Sequence, residues 1–158
     1  MTTFITPEDL LEHWQGHQRL TSRVIEAFPE NQLFSFAPAV PMRSFGGMVL
    51  ELIRMVEPTL DGFLSGEWVT PDWSGMERQV FSKAELVEMW GATGQLLREQ
   101  WLRIHVERFH AVEAAFGLPP QPNWNLVLYL IDNEIHHRAQ GYVYLRLLNI
   151  EPPAFYER

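Results

Sequence analysis

The chain has 158 residues, 46% of them hydrophobic, enough for a single domain with a substantial buried core. Twenty acidic residues against twelve basic ones give a formal charge of -8, and no basic cluster forms a phosphate-reading stripe, so nucleic acid is not an expected direct partner. Cysteine is absent, which excludes disulfides, thiolate metal ligands and a protein-borne sulfur nucleophile.

The N-terminal stretch MTTFITPEDLLEHW has neither a basic start nor an apolar signal core, and no apolar run reaches membrane-spanning length. A cytoplasmic protein with no membrane partner is expected. A first helix is predicted from Thr6, whose hydroxyl can cap the turn opened by Pro7, Glu8 and Asp9, and it should end before Pro29. Its stripe Leu10, Trp14, His17, Thr21, Val24 and Phe28 puts His17 inside. Residues 30–41 are broken by Pro38 and Pro41 and read as a loop.

Ser44 can cap a second helix carrying Phe45, Met48, Leu52, Met55 and Val56, with Glu51 at the edge of that stripe. Pro58 should kink or end it. Residues 62–81 contain Gly66, Trp68, Pro71 and Trp73 without a sustained helical period and read as an ordered loop. Ser82 and Glu85 form a capping-box signature for a third helix with Leu86, Trp90, Thr93, Leu97 and Trp101 on one face, locally weakened by Gly91 and Gly94. Residues 104–116 are ambiguous, and Gly117, Pro119, Pro120 and Pro122 make a firm break. A last helix is expected from about Asn123 to Asn149, followed by a tail, residues 150–158, lying extended across the bundle and anchored by Phe155 and Tyr156. Four helical patterns without a strand series predict an antiparallel four-helix bundle over residues 1–158.

The richest segment is DNEIHHRAQGYVYLR, residues 132–146. Asn133 and His137, four apart, share one helix face with Leu126, Leu130, Tyr144 and Leu148, while His136 points roughly 100° away. A polar pair in an apolar stripe needs partners. Without thiolates, Zn²⁺ or Ni²⁺ would take imidazole and carboxylate, so His17, Glu51 and His137 are the candidate three-ligand set, with positions left for water or substrate. His13, Asn133 and His136 could bind weakly or orient the ligands from behind. The structural alternatives are a merely hydrogen-bonded core histidine at His17 and an ion pair between Glu51 and Arg54. Nucleotide loops, HExxH pairs and serine elbows leave no trace; SFGGM lacks the preceding strand of a nucleotide motif.

Two segments, SFGGMVLELI at residues 44–53 and IDNEIHHRAQGYVYLRLLNIEPPAFYER at residues 131–158, resemble the DinB/YfiT-like family of metal-binding four-helix-bundle proteins. The resemblance covers most of the chain. It implies a metal triad of one histidine on the second helix and two on the last, four apart; by position these are Glu51, Asn133 and His137 here, so only one is histidine. Ala139 stands where the family often has glycine, a change that suits a helix interior. The family's name refers to DNA-damage induction, which specifies no mechanism. The resemblance implies a divalent-metal-dependent transferase using a low-molecular-weight thiol, whose pKa the metal would lower, or a hydrolase acting through metal-bound water. The rival expectations are a non-catalytic ligand-binding bundle with a degenerate metal site and a homodimer packed across a two-fold axis.

Overall fold

The computed structural model describes residues 4–75 and 79–158. Helix α1 spans Pro7–Ala27, α2 Phe45–Ser65, α3 Lys83–Trp101, a short α4 Val106–His110, and α5 Asn123–Leu147; a two-residue ladder pairs β1, Val112–Glu113, with β2, Gln121–Pro122. Among the described residues no helix is long and apolar enough to cross a membrane.

The expected helix starts are present. Thr6 and Asp9 bond reciprocally to each other's backbone N–H, as do Ser82 and Glu85, and the Ser44 hydroxyl accepts from Gly47 N–H. Each such cap satisfies backbone donors that have no partner inside the helix, which stabilises the start by about 1 kcal/mol. The buried face of α3 consists of Leu86, Trp90, Thr93, Leu97 and Trp101, as the spacing predicts, and Gly91 and Gly94 do not interrupt it. In α1 Leu11 and Leu20 are buried, whereas Leu10, expected on the inward stripe, is half-buried against the core. Pro58 does not end α2, which runs on to Ser65 and stops at Gly66 in the left-handed region (φ 82°). Pro58 removes the helical N–H that would reach the Arg54 carbonyl, but the apolar stripe continues through Leu60 and Phe63. Packing of that second half of the helix outweighs the lost bond.

α1 packs against α3 and α5, and α2 against the same two, so α1 and α2 occupy one diagonal of the bundle and α3 and α5 the other. Phe28, just past α1, stacks on Phe45 at the start of α2, with ring centroids 4.8 Å apart. Lys83, at the start of α3, donates to the Phe28 carbonyl, and Trp101, at its end, donates to the Pro7 carbonyl. Tyr144, near the end of α5, donates to the Arg43 carbonyl before α2. These anchors make α1 and α5 run one way and α2 and α3 the other. The chain must therefore return the length of the bundle between α2 and α3. Part of that return, Thr70, Pro71 and Trp73, lies over the α2–α5 side, and Arg54 of α2 donates to Gln79. Residues 76–78, within the segment expected to be an ordered loop, lie outside the described residues.

The core has two halves: one around Phe28, Phe45, Met48, Trp90 and Tyr144, the other around Trp14, Phe63, Leu97, Trp101 and Phe109. Buried tryptophans keep their N–H groups satisfied, Trp90 by the Gln18 carbonyl and Trp14 by Glu134. The tail differs from expectation: Phe155 and Tyr156 are 70% and 71% exposed, so they do not anchor it. It is held instead by buried Pro152, by Ile150 N–H on the Leu145 carbonyl, by Arg23 on Glu157, and by Arg158 beside His17.

Candidate functional site

Helix α5 carries two polar pairs at i, i+4 spacing, Asn133/His137 and Glu134/Arg138, set one residue apart. One residue is roughly 100° of helix rotation, so the pairs face different neighbours. Asn133 and His137 meet α2; Glu134 and Arg138 meet α1.

On the α2 side, His137 Nε2 lies 3.2 Å from Glu51 Oε1, and Asn133 Nδ2 reaches the same oxygen at 3.4 Å. Arg43 takes the other oxygen, Oε2, at 2.5 Å. The alternative pairing of Glu51 with Arg54 is not formed; Arg54 bonds Gln79. The His137 hydrogen bond, and then the Arg43 hydrogen bond and charge, outweigh burial and hold the Glu51 carboxyl at about 2, well below its ordinary 4.5. An ionised carboxylate only accepts, so the proton of neutral His137 sits on Nε2. Its Nδ1 is buried with no partner among the described residues. Asn133 Nδ2 also lies 3.4 Å from Met55 Sδ, and Met55 lines an adjoining apolar pocket of about 210 Å³ with Thr59, Trp73, Phe116, Leu126 and Tyr129. Met55 thus touches both the Glu51–Asn133–His137 cluster and the apolar pocket beneath the returning loop, so the two lie side by side along the α2–α5 groove.

On the α1 side, Glu134 is 2% exposed and accepts from Thr21 at 2.6 Å, Trp14 at 3.2 Å and Arg138 at 3.4 Å. Burial raises its carboxyl to about 7 against those three donors. Arg138 also reaches the His17 carbonyl and His17 Nδ1, the latter at 2.8 Å. His17 is buried as predicted, and desolvation, helped by the charges of Arg138 and Arg158, lowers its pKa to about 4.

The three-ligand set His17, Glu51 and His137 does not assemble. Glu51 and His137 come together, whereas His17 joins the neighbouring cluster on Arg138, because α1 and α2 stand on one diagonal and look at different faces of α5. His13 is exposed, its ring edge-on to His17 at 4.7 Å, and His136 is exposed and bonded to Gln140. Among the described residues no three histidine, aspartate or glutamate side chains converge to hold a metal ion. The 3.2 Å between His137 Nε2 and Glu51 Oε1 would let both reach one ion. The rest of the donor set does not fit a resident divalent cation: the third position offers an amide, a poor transition-metal ligand, and the Glu51 charge is already paired with Arg43.

Sequence reasoning missed Arg43, Glu134 and Arg158. Glu134 and Arg138 had a visible signal, the i, i+4 carboxylate–guanidinium spacing of EIHHR, residues 134–138. Arg43, in a loop, and Arg158, in the tail, had none.

A family model described as DinB family matches residues 1–158. Among solved structures the fold is similar to that of a DinB-like protein from Bacillus cereus ATCC 10987, with a TM-score of 0.75 and 20% identity over 94% of this chain and 97% of that one. A DinB-like protein from Bacillus subtilis, YjoA, matches with a TM-score of 0.74 and 17% identity over the same shares. No curated protein matches the chain.

Proposed function

The chain belongs to the DinB family, and from that premise we propose that it is a ligand-binding member whose α2–α5 groove works without a resident metal. The observation that carries this reading is the Arg43–Glu51–His137 arrangement, in which a guanidinium already pairs with the carboxylate at the position where the resemblance implies a metal-binding histidine. With Asn133 at the second such position, the site has become a neutral hydrogen-bonding end to an apolar pocket.

Such a groove suits a small neutral molecule, about one ring or a short alkyl chain in size, that carries a hydroxyl or amide. The polar group would exchange hydrogen bonds with Glu51, Asn133 and His137, and the apolar body would pack on Met55, Trp73 and Leu126. Binding needs no proton transfer and no metal-activated thiol or water.

Ligand-observed NMR with benzyl alcohol tests the reading. Binding should persist in EDTA and disappear in Met55→Trp, which fills the apolar end. Binding that depends on added Zn²⁺ or Ni²⁺, or that survives Met55→Trp, would return the thiol-transferase or hydrolase reading to first place.

A further inference from the structure

On the far side of α5, a cleft of about 680 Å³ lies between that helix and the tail, residues 151–158. Its apolar wall includes Ile135, Val143 and Pro153, and its charged groups are Arg138, Arg146, Arg158 and Glu151. Arg138 is paired with Glu134 behind it, so Arg146 and Arg158 against Glu151 make a local reversal of sign in a chain of net charge -8.

The hydrogen-bond inventory of this cleft does not close. His17 Nδ1 lies 2.8 Å from Arg138 Nη2, and His17 Nε2 lies 3.2 Å from Arg158 Nη1 and 3.2 Å from His13 Nε2. Guanidinium groups only donate, and a neutral imidazole accepts at one nitrogen alone. The shorter, buried contact makes Nδ1 the acceptor, so Nε2 carries the proton and can donate to His13. Arg158 then points a donor at a donor. Protonating His17 would worsen the conflict, and its lowered pKa keeps it neutral near pH 7. Tyr142, also on the cleft, has a buried hydroxyl with no partner among the described residues, and Arg146 lies over its ring at 5.9 Å. The cleft thus holds one buried hydroxyl without an acceptor and a guanidinium turned onto an imidazole N–H, beside an apolar wall.

We propose that this cleft binds an organic carboxylate with an apolar body, its oxygens accepting from Arg158 and from His17 Nε2–H or the Tyr142 hydroxyl. Its volume falls in the range of small-molecule sites, and a carboxylate supplies the missing acceptors in charge-assisted form. Arg138 is committed to Glu134 and His17 and serves as a positioning residue, fixing which His17 nitrogen faces the ligand. The site is separate from the α2–α5 groove, and its failure would leave that reading untouched.

Isothermal titration of the full chain with octanoate tests the proposal, with octan-1-ol as the uncharged probe of equal chain length, both titrated also into Met55→Trp, whose filled α2–α5 pocket removes binding there from the comparison. Octanoate should bind at least about tenfold more tightly than octan-1-ol, the scale of one charge-assisted contact. Arg158→Gln should weaken octanoate by about tenfold or more. Val143→Glu, on the exposed face of α5, should do the same by placing a carboxylate at the cleft without disturbing the tail. Equal binding of the two probes, no binding of octanoate, or unchanged affinity in both variants would overturn the assignment. So would loss of octanoate binding in Met55→Trp, which would place the probe in the other groove.

Discussion

His137 shares Glu51 with Arg43: imidazole Nε2 on one carboxylate oxygen at 3.2 Å, guanidinium on the other. The carboxylate is thereby held ionised, with its pKa at about 2 in the fold against an ordinary 4.5. A depressed carboxylate contributes stability that is present above the unfolded-state value and is lost as the pH falls toward the folded one. Glu51→Gln should therefore cost about 1–2 kcal/mol at neutral pH, the scale of charge-assisted hydrogen bonds at a partly exposed site. The difference from wild type should shrink between about pH 4.5 and pH 2. Urea midpoints of both proteins across that range give the answer; a difference independent of pH would mean that the carboxylate is not held in this way.

The Glu134–Arg138 pair predicts asymmetric mutational behaviour. Arg138→Met removes the guanidinium that favours the charged form of a carboxyl 2% exposed and already at about 7, so Glu134 takes up a proton and the loss at neutral pH should be about 1–3 kcal/mol, the scale of lost buried hydrogen bonds. Adding Glu134→Leu to that variant should recover part of the loss, because the carboxyl no longer has to be buried without its partner. A double variant as unstable as the single one would show that the hydrogen bonds of Glu134 to Trp14 and Thr21, not its charge, are what the fold depends on.

Two helical glycines should respond in opposite directions to alanine. A Cβ at Gly141 would meet Phe45 Cε2 at 2.6 Å, so Gly141→Ala must displace a buried ring and should cost about 1–3 kcal/mol. A Cβ at Gly91 meets nothing within 4 Å, and Gly91→Ala should stabilise by about 0.5–1 kcal/mol through helix propensity. Thermal or urea unfolding of the pair checks both signs at once.

His17 titration is the fourth expectation. Its folded pKa of about 4 lies below the ordinary 6.5, so the native state binds fewer protons than the unfolded chain between these values. Stability should accordingly fall as pH drops from 6.5 toward 4, and His17→Gln should flatten that slope. An NMR midpoint for His17 near 6.5 would contradict the burial that lowers it.

Most of the fold was legible in the sequence because its signals are local. Thr6 with Asp9, Ser44, and Ser82 with Glu85 mark helix starts through short-range hydrogen bonds, and the α3 stripe follows from helical period alone. That α2 runs on past Pro58 was not legible, because propensity is local, whereas the continuation depends on Leu60 and Phe63 packing into the core. The candidate site was half legible. His137 and Glu51 meet as expected, but the assignment of His17 to the same point needed the order of helices around the bundle, which periodicity does not contain. A one-residue offset on α5, from His137 to Arg138, separates the two clusters. Arg43 and Arg158 act across loop and tail, where no repeat announces them.

As proposed, the α2–α5 groove binds by hydrogen bonds and holds no resident metal. Equilibrium dialysis of tag-free protein against Zn²⁺ and then metal-free buffer, followed by elemental analysis, tests it most directly. Wild type should retain well under about 0.1 equivalent, while Glu51→His/Asn133→His, which sets three imidazoles at this point with His137, should retain about one. Stoichiometric zinc retained by the wild type and lost in His137→Ala would contradict the account.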